Sequence, residues 1–302
     1  DVSILFGIED FYHRYGYSVC SANSVCQVAT DSLPASAPTG FRVRAARPGD
    51  LPGIVALYRR TNATRSVSAI RSGQWKPVHG HLPGWRMPRM AEDVERRPGK
   101  AIVVENRRGA TIAYASYDSQ VGHCMVTEVG ATDRSAYPVI ARRIRRLARE
   151  AGAQRVRFCL PADDPFGEYL GRFGCGWSIH FPENSGSMGR LVDLRALMLK
   201  LLPTLGNRLS LSELRLPKGG ITFDTDIGSV TLTSSKSEII ATDNRSRKTV
   251  SISQMQFSQL MFGHRSVEDL LIDGEIRLAK NLIQVVSTLF PKSHPYMWWG
   301  DG

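Results

Sequence analysis

Two stretches of this chain share one plan. "DFYHRYGY" (residues 10–17) and "EYLGRFGCG" (residues 168–176) each run through aromatics and an arginine to a glycine. A glycine in that place stops a short helix, because it enters the left-handed backbone region without the steric cost of a Cβ. The first stretch lies inside "ILFGIEDFYHRYGYSVC" (residues 4–20), which reads as a strand, a short helix and the turn into another strand. The second follows the apolar run "RVRFCLP". Elements of this kind are expected at the end of a domain. The chain thus opens on what reads as the finish of a unit.

The 302 residues are 42% hydrophobic, enough for a substantial core, and the length suggests two domains with the remnant of a third. No apolar run reaches the roughly 18 residues needed to span a bilayer. The N-terminus lacks the basic flank, apolar stretch and cleavage site of a secretory signal. The five cysteines (Cys20, Cys26, Cys124, Cys159, Cys175) form no C-x-x-C pair, so neither a disulfide framework nor a metal site is indicated. A reducing cytoplasm is the expected setting.

The net charge of +11 points to nucleic acid or to an anionic ligand such as a polyphosphate cofactor. The densest basic stretch is "VIARRIRRLAREAGAQRVRF". There Ile140, Ile144, Leu147 and Ala151 recur at helical spacing, while Arg142, Arg143, Arg145, Arg146 and Arg149 fill the other faces. The spacing predicts an amphipathic helix with a solvated basic side. It carries no aromatic that would stack on a base, which argues against a nucleic-acid surface.

"SANSVCQVATDSLPASAPTG" (21–40) reads as a linker, or a strand plus linker. A new domain opens with a strand at Phe41, Val43 and Ala45, a turn and helix cap at Pro48-Gly49-Asp50, and a helical stripe of Ile54, Leu57 and Tyr58. "AIVVEN" and "TIAYASYD" joined by "RRGA" predict a hairpin. A strand "HCMVTEVGA", the basic helix, the strand "RVRFCLP" and the helix of "PFGEYLGRFGCG" complete a mixed α/β domain. "FPENSGSMGR" reads as a second linker. Beyond it come a helix in "LVDLRALMLKLLPTLGNRL", four strands from "GGITFDTD" to "KTVSISQ", and helices in "MQFSQLMFG", "SVEDLLIDG" and "EIRLAKNLIQVVSTLF". In these strands Ile221, Phe223, Val230 and Leu232 alternate with polar residues, predicting one buried sheet face.

In "DFYHRYGY", in "VTEVGATDRSAYPVIARRIRRLA" followed by "FCLPADDPFGEYL", and in "GGITFDTDIGSVTLTSS" with "FSQLMFGHRSVEDL", the chain resembles the enhanced intracellular survival (Eis) family of acetyltransferases. The resemblance implies a mixed α/β and α+β protein in three parts. Residues 1–30 would be the C-terminal remnant of a catalytic GNAT domain, truncated at its N-terminus. Residues 40–185 would be a second, degenerate GNAT-like domain, and residues 190–302 a module of the sterol carrier protein type 2 fold. It implies transfer of acetyl from acetyl-CoA, as cosubstrate, to a primary amine on a small molecule or peptide. It also implies a homo-oligomer, with no metal and neither a nucleic-acid nor a membrane partner. Tyr12 is the implied general acid, protonating the coenzyme A thiolate; a phenol of ordinary pKa near 10 can do this beside a forming thiolate. Without that context, Tyr12 reads as a core aromatic with Phe11, Tyr15 and Tyr17.

A working GNAT loop of the Q/R-x-x-G-x-G/A kind presents backbone N–H groups to a pyrophosphate at a helix N-terminus. Asp133 to Pro138 occupies that place in the second domain, with a bulky aromatic and an acid where phosphates would lie. The cofactor-binding residues are therefore expected upstream of residue 1. The family's base is the chain's own terminal carboxylate. This sequence ends "YMWWGDG" where family members tend to end on an aromatic, so Asp301 and Gly302 receive no role. Trp298 and Trp299 either line an apolar pocket or dock against a neighbouring domain. His79 and His81 in "WKPVHGHLPGW", without a third ligand nearby, read as a loop, and Trp75 and Trp85 around them as substrate-lining or packing residues. Asp163 and Asp164 read as a turn with a helix cap, and "LPKGG" as turn punctuation. The alternative function, resting on the C-terminal module alone, is a sterol or lipid carrier.

Overall fold

The computed structural model describes residues 1–68, 71, 94, 99–235 and 238–296. Along the chain these form β1 (Val2–Gly7), β2 (Ser18–Val19), β3 (Asn23–Ala29), β4 (Arg42–Ala45), α1 (Leu51–Thr61), β5 (Ala101–Glu105), β6 (Thr111–Gln120) and β7 (His123–Ala131). Then come α2 (Tyr137–Glu150), β8 (Arg155–Phe158), α3 (Pro165–Leu170), β9 (Gly176–His180), β10 (Gly186–Leu191) and α4 (Leu194–Ser210). The last third holds β11 (Ile221–Thr225), β12 (Gly228–Ser235), β13 (Glu238–Thr242), β14 (Thr249–Ile252), α5 (Gln254–Phe262), α6 (Val267–Ile272), β15 (Ile276–Arg277) and α7 (Ile283–Leu289). The chain divides into two units, one of Asp1–Ala22 with Pro182–Pro295, the other of Asn23–Phe181 with Tyr296.

The second unit is built on a seven-stranded sheet in the order β4-β5-β6-β7-β8-β3-β9. Neighbours are antiparallel except β7 and β8, which run parallel. The run "AIVVE" of β5 is apolar without a break because both faces are covered: Ile102 and Val104 join the core under α2 and α3, and Ala101 and Val103 join the core under α1. In α2 the predicted stripe is present, with Ile140, Ile144 and Ala148 fully buried beneath the arginines. The predicted hairpin of β5 and β6 is also present.

The first unit contains two sheets. A small antiparallel sheet has the order β1-β10-β2, and a larger one the order β13-β12-β11-β14-β15. Ile221, Phe223, Val230 and Leu232 are fully buried on one face of the larger sheet, as their alternation predicts. Phe223, Phe257 and Phe290 meet there edge to face with ring centroids 5.6–5.9 Å apart. The helix α5 covers both sheets: Ser18 Oγ donates to the Met255 carbonyl at 2.9 Å and the Gln259 amide to the Val19 carbonyl at 3.2 Å.

The boundaries differ from those read in the sequence. Residues 1–30 are not one piece: β3 leaves β1 and β2 and enters the second unit's sheet between β8 and β9. Its Ser24, Cys26 and Val28 alternate into the core, a short pattern embedded in Ser, Ala and Pro. The expected linker "FPENSGSMGR" supplies β10, which runs between β1 and β2 with Met188 and Leu191 fully buried. Residues 1–22 therefore share a unit with the C-terminal module. The expected long helix in "EIRLAKNLIQVVSTLF" starts instead as β15, paired with β14, and becomes helical only from Lys280.

These exchanged strands account for the plan that the two glycine-ended stretches share. Tyr12–Tyr15 lies between β1 and β2, which flank β10; the stretch around α3 lies between β8 and β9, which flank β3. Gly16 and Gly174 both take the left-handed conformation, with φ of 80° and 70°. Within β10, a Cβ on Gly189 would stand 2.3 Å from the ring of Phe262 on α5. Gly189→Ala is therefore expected to destabilise the protein by about 1–3 kcal/mol through overpacking. Gly206→Ala, inside α4 with open space around it, should be neutral or stabilise by up to about 1 kcal/mol. Denaturant unfolding of both variants checks the pair.

Candidate functional site

The second unit's sheet is interrupted at Thr127. Opposite strands pair Ser116 with Glu128 and Tyr117 with Val126, which leaves Thr127 as an extra residue on β7. Such a bulge bends its strand. On the other side, β7 pairs with β8 only from Cys124 to Val126, and the last rung is the Cys159 N–H to the Val126 carbonyl at 2.9 Å. Beyond it, the carbonyls of Thr127 and Cys159 both face the hydroxyl of Tyr296, at 3.3 and 2.6 Å. The single phenolic proton goes to the nearer, Cys159. Thr127 Oγ1 is buried beside this point and makes no hydrogen bond among the described residues.

One residue further, Glu128 is held from two sides. Arg71 Nη1 and Nη2 donate to its two carboxylate oxygens at 2.7 Å each, and Tyr114 Oη donates to Oε1 at 2.6 Å. The Arg71 guanidinium also lies 3.7 Å from the ring centre of Tyr58. Tyr114 fits because Gly130 stands directly opposite; a Cβ there would come within 2.4 Å of its ring. Burial, and then the Glu128 charge, push the Tyr114 phenol well above its ordinary pKa. With both oxygens engaged, Glu128 is a paired structural anion and not a free base. Arg71 is only 3% exposed, so Glu128→Gln removes the carboxylate charge bound to both terminal nitrogens of a buried cation. A loss of about 3 kcal/mol or more is expected, read as a lower Tm.

Asp133 to Pro138, at the start of α2, offers few donors to an anion. The Ser135 N–H is used by the Asp133 carboxylate at 2.9 Å, which lowers the Asp133 pKa, and Pro138 in the first turn has no N–H. Tyr137 packs edge-on against Phe166 at 5.2 Å. Asp164 caps α3 as its position in the sequence predicts, accepting from Phe166 N at 2.8 Å and Gly167 N at 3.3 Å. "LPKGG" is a turn with Gly219 and Gly220 both at positive φ.

Burial pushes the Asp164 carboxyl up from 3.8 to about 6, outweighing the backbone donors and nearby Arg65. The folded chain thus holds this proton more tightly than the unfolded chain. Its contribution to stability is full below about pH 4 and is lost as pH rises through 6. Asp164→Asn keeps a capping oxygen and cannot ionise. The Tm of this variant relative to wild type is expected to rise between pH 4 and 7 and then level off; thermal unfolding across that range measures it.

Tyr12 lies in the first unit, half-buried, with its ring 4.9 Å from Phe11 and 5.9 Å from Tyr17. Tyr17 Oη is bound to Ser3 Oγ at 2.7 Å, whereas the Tyr12 hydroxyl has no hydrogen-bond partner among the described residues. The turn into this aromatic group is fixed by Asp10, at φ 57°: its backbone N–H donates to Asn184 Oδ1 at 3.3 Å, and the Asn184 side-chain amide donates to the Asp10 carboxylate. Trp75, His79, His81, Trp85, Trp298, Trp299, Asp301 and Gly302 lie outside the described residues. Glu128, Arg71 and Tyr296 were not singled out in the sequence. Glu128 had a signal, as the only acid in an otherwise apolar strand. Among the described residues, no group of three or more His, Cys, Asp or Glu could hold a metal, and no helix is long and apolar enough to cross a membrane.

No protein-family model matches the sequence, and no curated protein is similar to it in sequence. Solved structures are similar in fold. A conserved protein of Enterococcus faecalis V583 described as a probable N-acyltransferase matches with a TM-score of 0.73 at 15% identity, over 98% of this chain and 71% of that one. A GCN5-related N-acetyltransferase from Kribbella flavida matches with a TM-score of 0.67 at 15% identity, over 98% and 69%. Eis1 from Mycobacterium abscessus matches with a TM-score of 0.55 at 15% identity, over 98% and 72%. The fold is that of the GCN5-related N-acetyltransferases.

Proposed function

We propose that this protein is an acetyl-CoA-dependent N-acetyltransferase of the Eis type, acting on a primary amine carried by a small molecule or peptide, with Tyr12 as its general acid. The observation that carries the reading is the match in fold along 98% of the chain to N-acetyltransferase structures. Its division of labour rests on the residues of each unit. The second unit does not fit acetyl-CoA: the Tyr296 hydroxyl stands where β7 and β8 part, and Asp133 and Pro138 take away N–H donors at the start of α2. No catalytic step is assigned to it, and it serves as a scaffold. Tyr12 differs from Tyr17, Tyr114, Tyr117 and Tyr296, whose hydroxyls are all hydrogen-bonded. An unengaged phenol in an aromatic setting suits a proton donor.

The sterol carrier assignment of the C-terminal module is kept as a statement about its fold. As a second function, lipid carriage is disfavoured by Phe223, Phe257 and Phe290, which fill the buried face of the five-stranded sheet with one another. A homo-oligomer in the cytoplasm remains part of the proposal.

The test is acetyl transfer from acetyl-CoA to a panel of primary amines, polyamines and aminoglycosides included, followed by release of free thiol in the full protein. Tyr12→Phe is expected to lower kcat by about 100-fold with little change in KM, and Tyr17→Phe to lower it far less. Absence of transfer to every amine in the panel would refute the function. Equal loss in both variants would refute the role of Tyr12 while leaving the function in place.

A further inference from the structure

The +11 charge has a focus that the proposed chemistry does not use. Between β4 and α2 lies a cleft of about 340 Å³. Its lining combines apolar side chains, Phe41 just before β4, Val43 of β4 and Val139 of α2, with Arg142, Arg143 and Arg146 of α2 and with Arg44 of β4. The volume falls within the range of small-molecule sites, roughly 300–1,000 Å³.

The arginines differ in what they have left to give. Arg44 is clamped by Asp50 at 2.6 and 2.8 Å and by Glu105 at 2.6 and 2.8 Å, so it is a fixed wall and not a free donor. Arg146 is exposed and only loosely paired with Glu150, at 3.3 Å. Arg142 and Arg143 have no carboxylate partner among the described residues, and the cleft lining itself includes no acid. Arg107, likewise unpaired, lies against Gly40 beside Phe41. Adjacent guanidinium groups that repel one another without a counter-charge favour an anion able to bridge them, and their planar forks suit phosphate oxygens.

From this geometry we infer that the cleft between β4 and α2 is a binding site for a small polyphosphate anion carrying an aromatic or apolar group. The phosphates lie against Arg142, Arg143 and Arg146, and the apolar group lies on Phe41, Val43 and Val139. An anion without the apolar group uses only half of the site. A nucleic acid is a poorer fit, because Phe41 is the one aromatic residue in the lining and successive bases would have nothing further to stack on.

The probes are ATP and inorganic tripolyphosphate, titrated calorimetrically into the whole chain at low ionic strength. ATP is expected to bind saturably at one site and at least about tenfold more tightly than tripolyphosphate. The Arg142→Glu/Arg143→Glu double variant should lose at least about tenfold in ATP affinity with a nearly unchanged Tm, since Arg142 is exposed, Arg143 is only half-buried and neither has a carboxylate partner among the described residues. Arg215→Glu/Arg247→Glu, which changes the net charge equally at exposed positions of the other unit, is expected to stay within about twofold of wild type. Equal losses in the two double variants would overturn the site in favour of a general charge effect. Equal affinity for ATP and tripolyphosphate, absence of saturable binding, or preferential binding of a single-stranded oligonucleotide would each overturn it as well.

Discussion

A parallel pair of strands cannot part inside a protein without leaving backbone carbonyls to be satisfied, and the second unit is arranged around one such parting. The extra residue at Thr127 shifts β7 out of step with β6 on one side and ends its ladder with β8 on the other. Buried carbonyls left unpaired cost on the order of 1–3 kcal/mol each. Here a hydroxyl from Tyr296, more than a hundred residues away in the chain, reaches both of them. The same bulge resets which face Glu128 points to. Tyr114 and Arg71 then meet that carboxylate, and Gly130 leaves room for the Tyr114 ring. The gap between the parting strands is thus closed by the chain itself.

The regular elements were legible because their evidence is local. The stripe of Ile140 and Ile144 on α2, the unbroken apolar run of β5 and the alternation from Ile221 to Leu232 each declare a buried face within one element. β3 and β10 were not legible, and both are strands that leave the neighbourhood in which they were made. β10 is "GSMGRL", whose glycine at 189 looks like a linker residue until Phe262 is seen against it. Its partners, β1 and β2, lie some 170 residues earlier. Composition reports what a segment can do alone, and these two segments acquire their conformation from ladders with distant strands.

The site divides in the same way. The Asp164 cap and the donor-poor start of α2 followed from residue types at fixed offsets. Glu128 with Arg71, and Tyr296 with Cys159, depend on side chains brought together across 57 and 137 positions, and no local pattern encodes such a meeting. Tyr12 stands between these cases. Its stretch was conspicuous, yet the feature that separates Tyr12 from Tyr17, an unengaged hydroxyl, is visible only once the Ser3 partner of Tyr17 is known.

The arginines show how one residue type takes opposite roles according to its surroundings. Arg71 is buried and has the Glu128 carboxylate bound to both terminal nitrogens; there the charge fixes structure and is spent locally. Arg44 is half-buried and held by two carboxylates, which hold its pKa above the usual arginine value and leave it rigid. Arg142 and Arg143 are at the surface, where water lowers the cost of leaving a charge unpaired, so their fields are free to act on something outside the chain. Net charge alone therefore says little about binding. What matters is where pairing stops, and on α2 it stops at Arg142 and Arg143, which share a cleft lining with Phe41, Val43 and Val139.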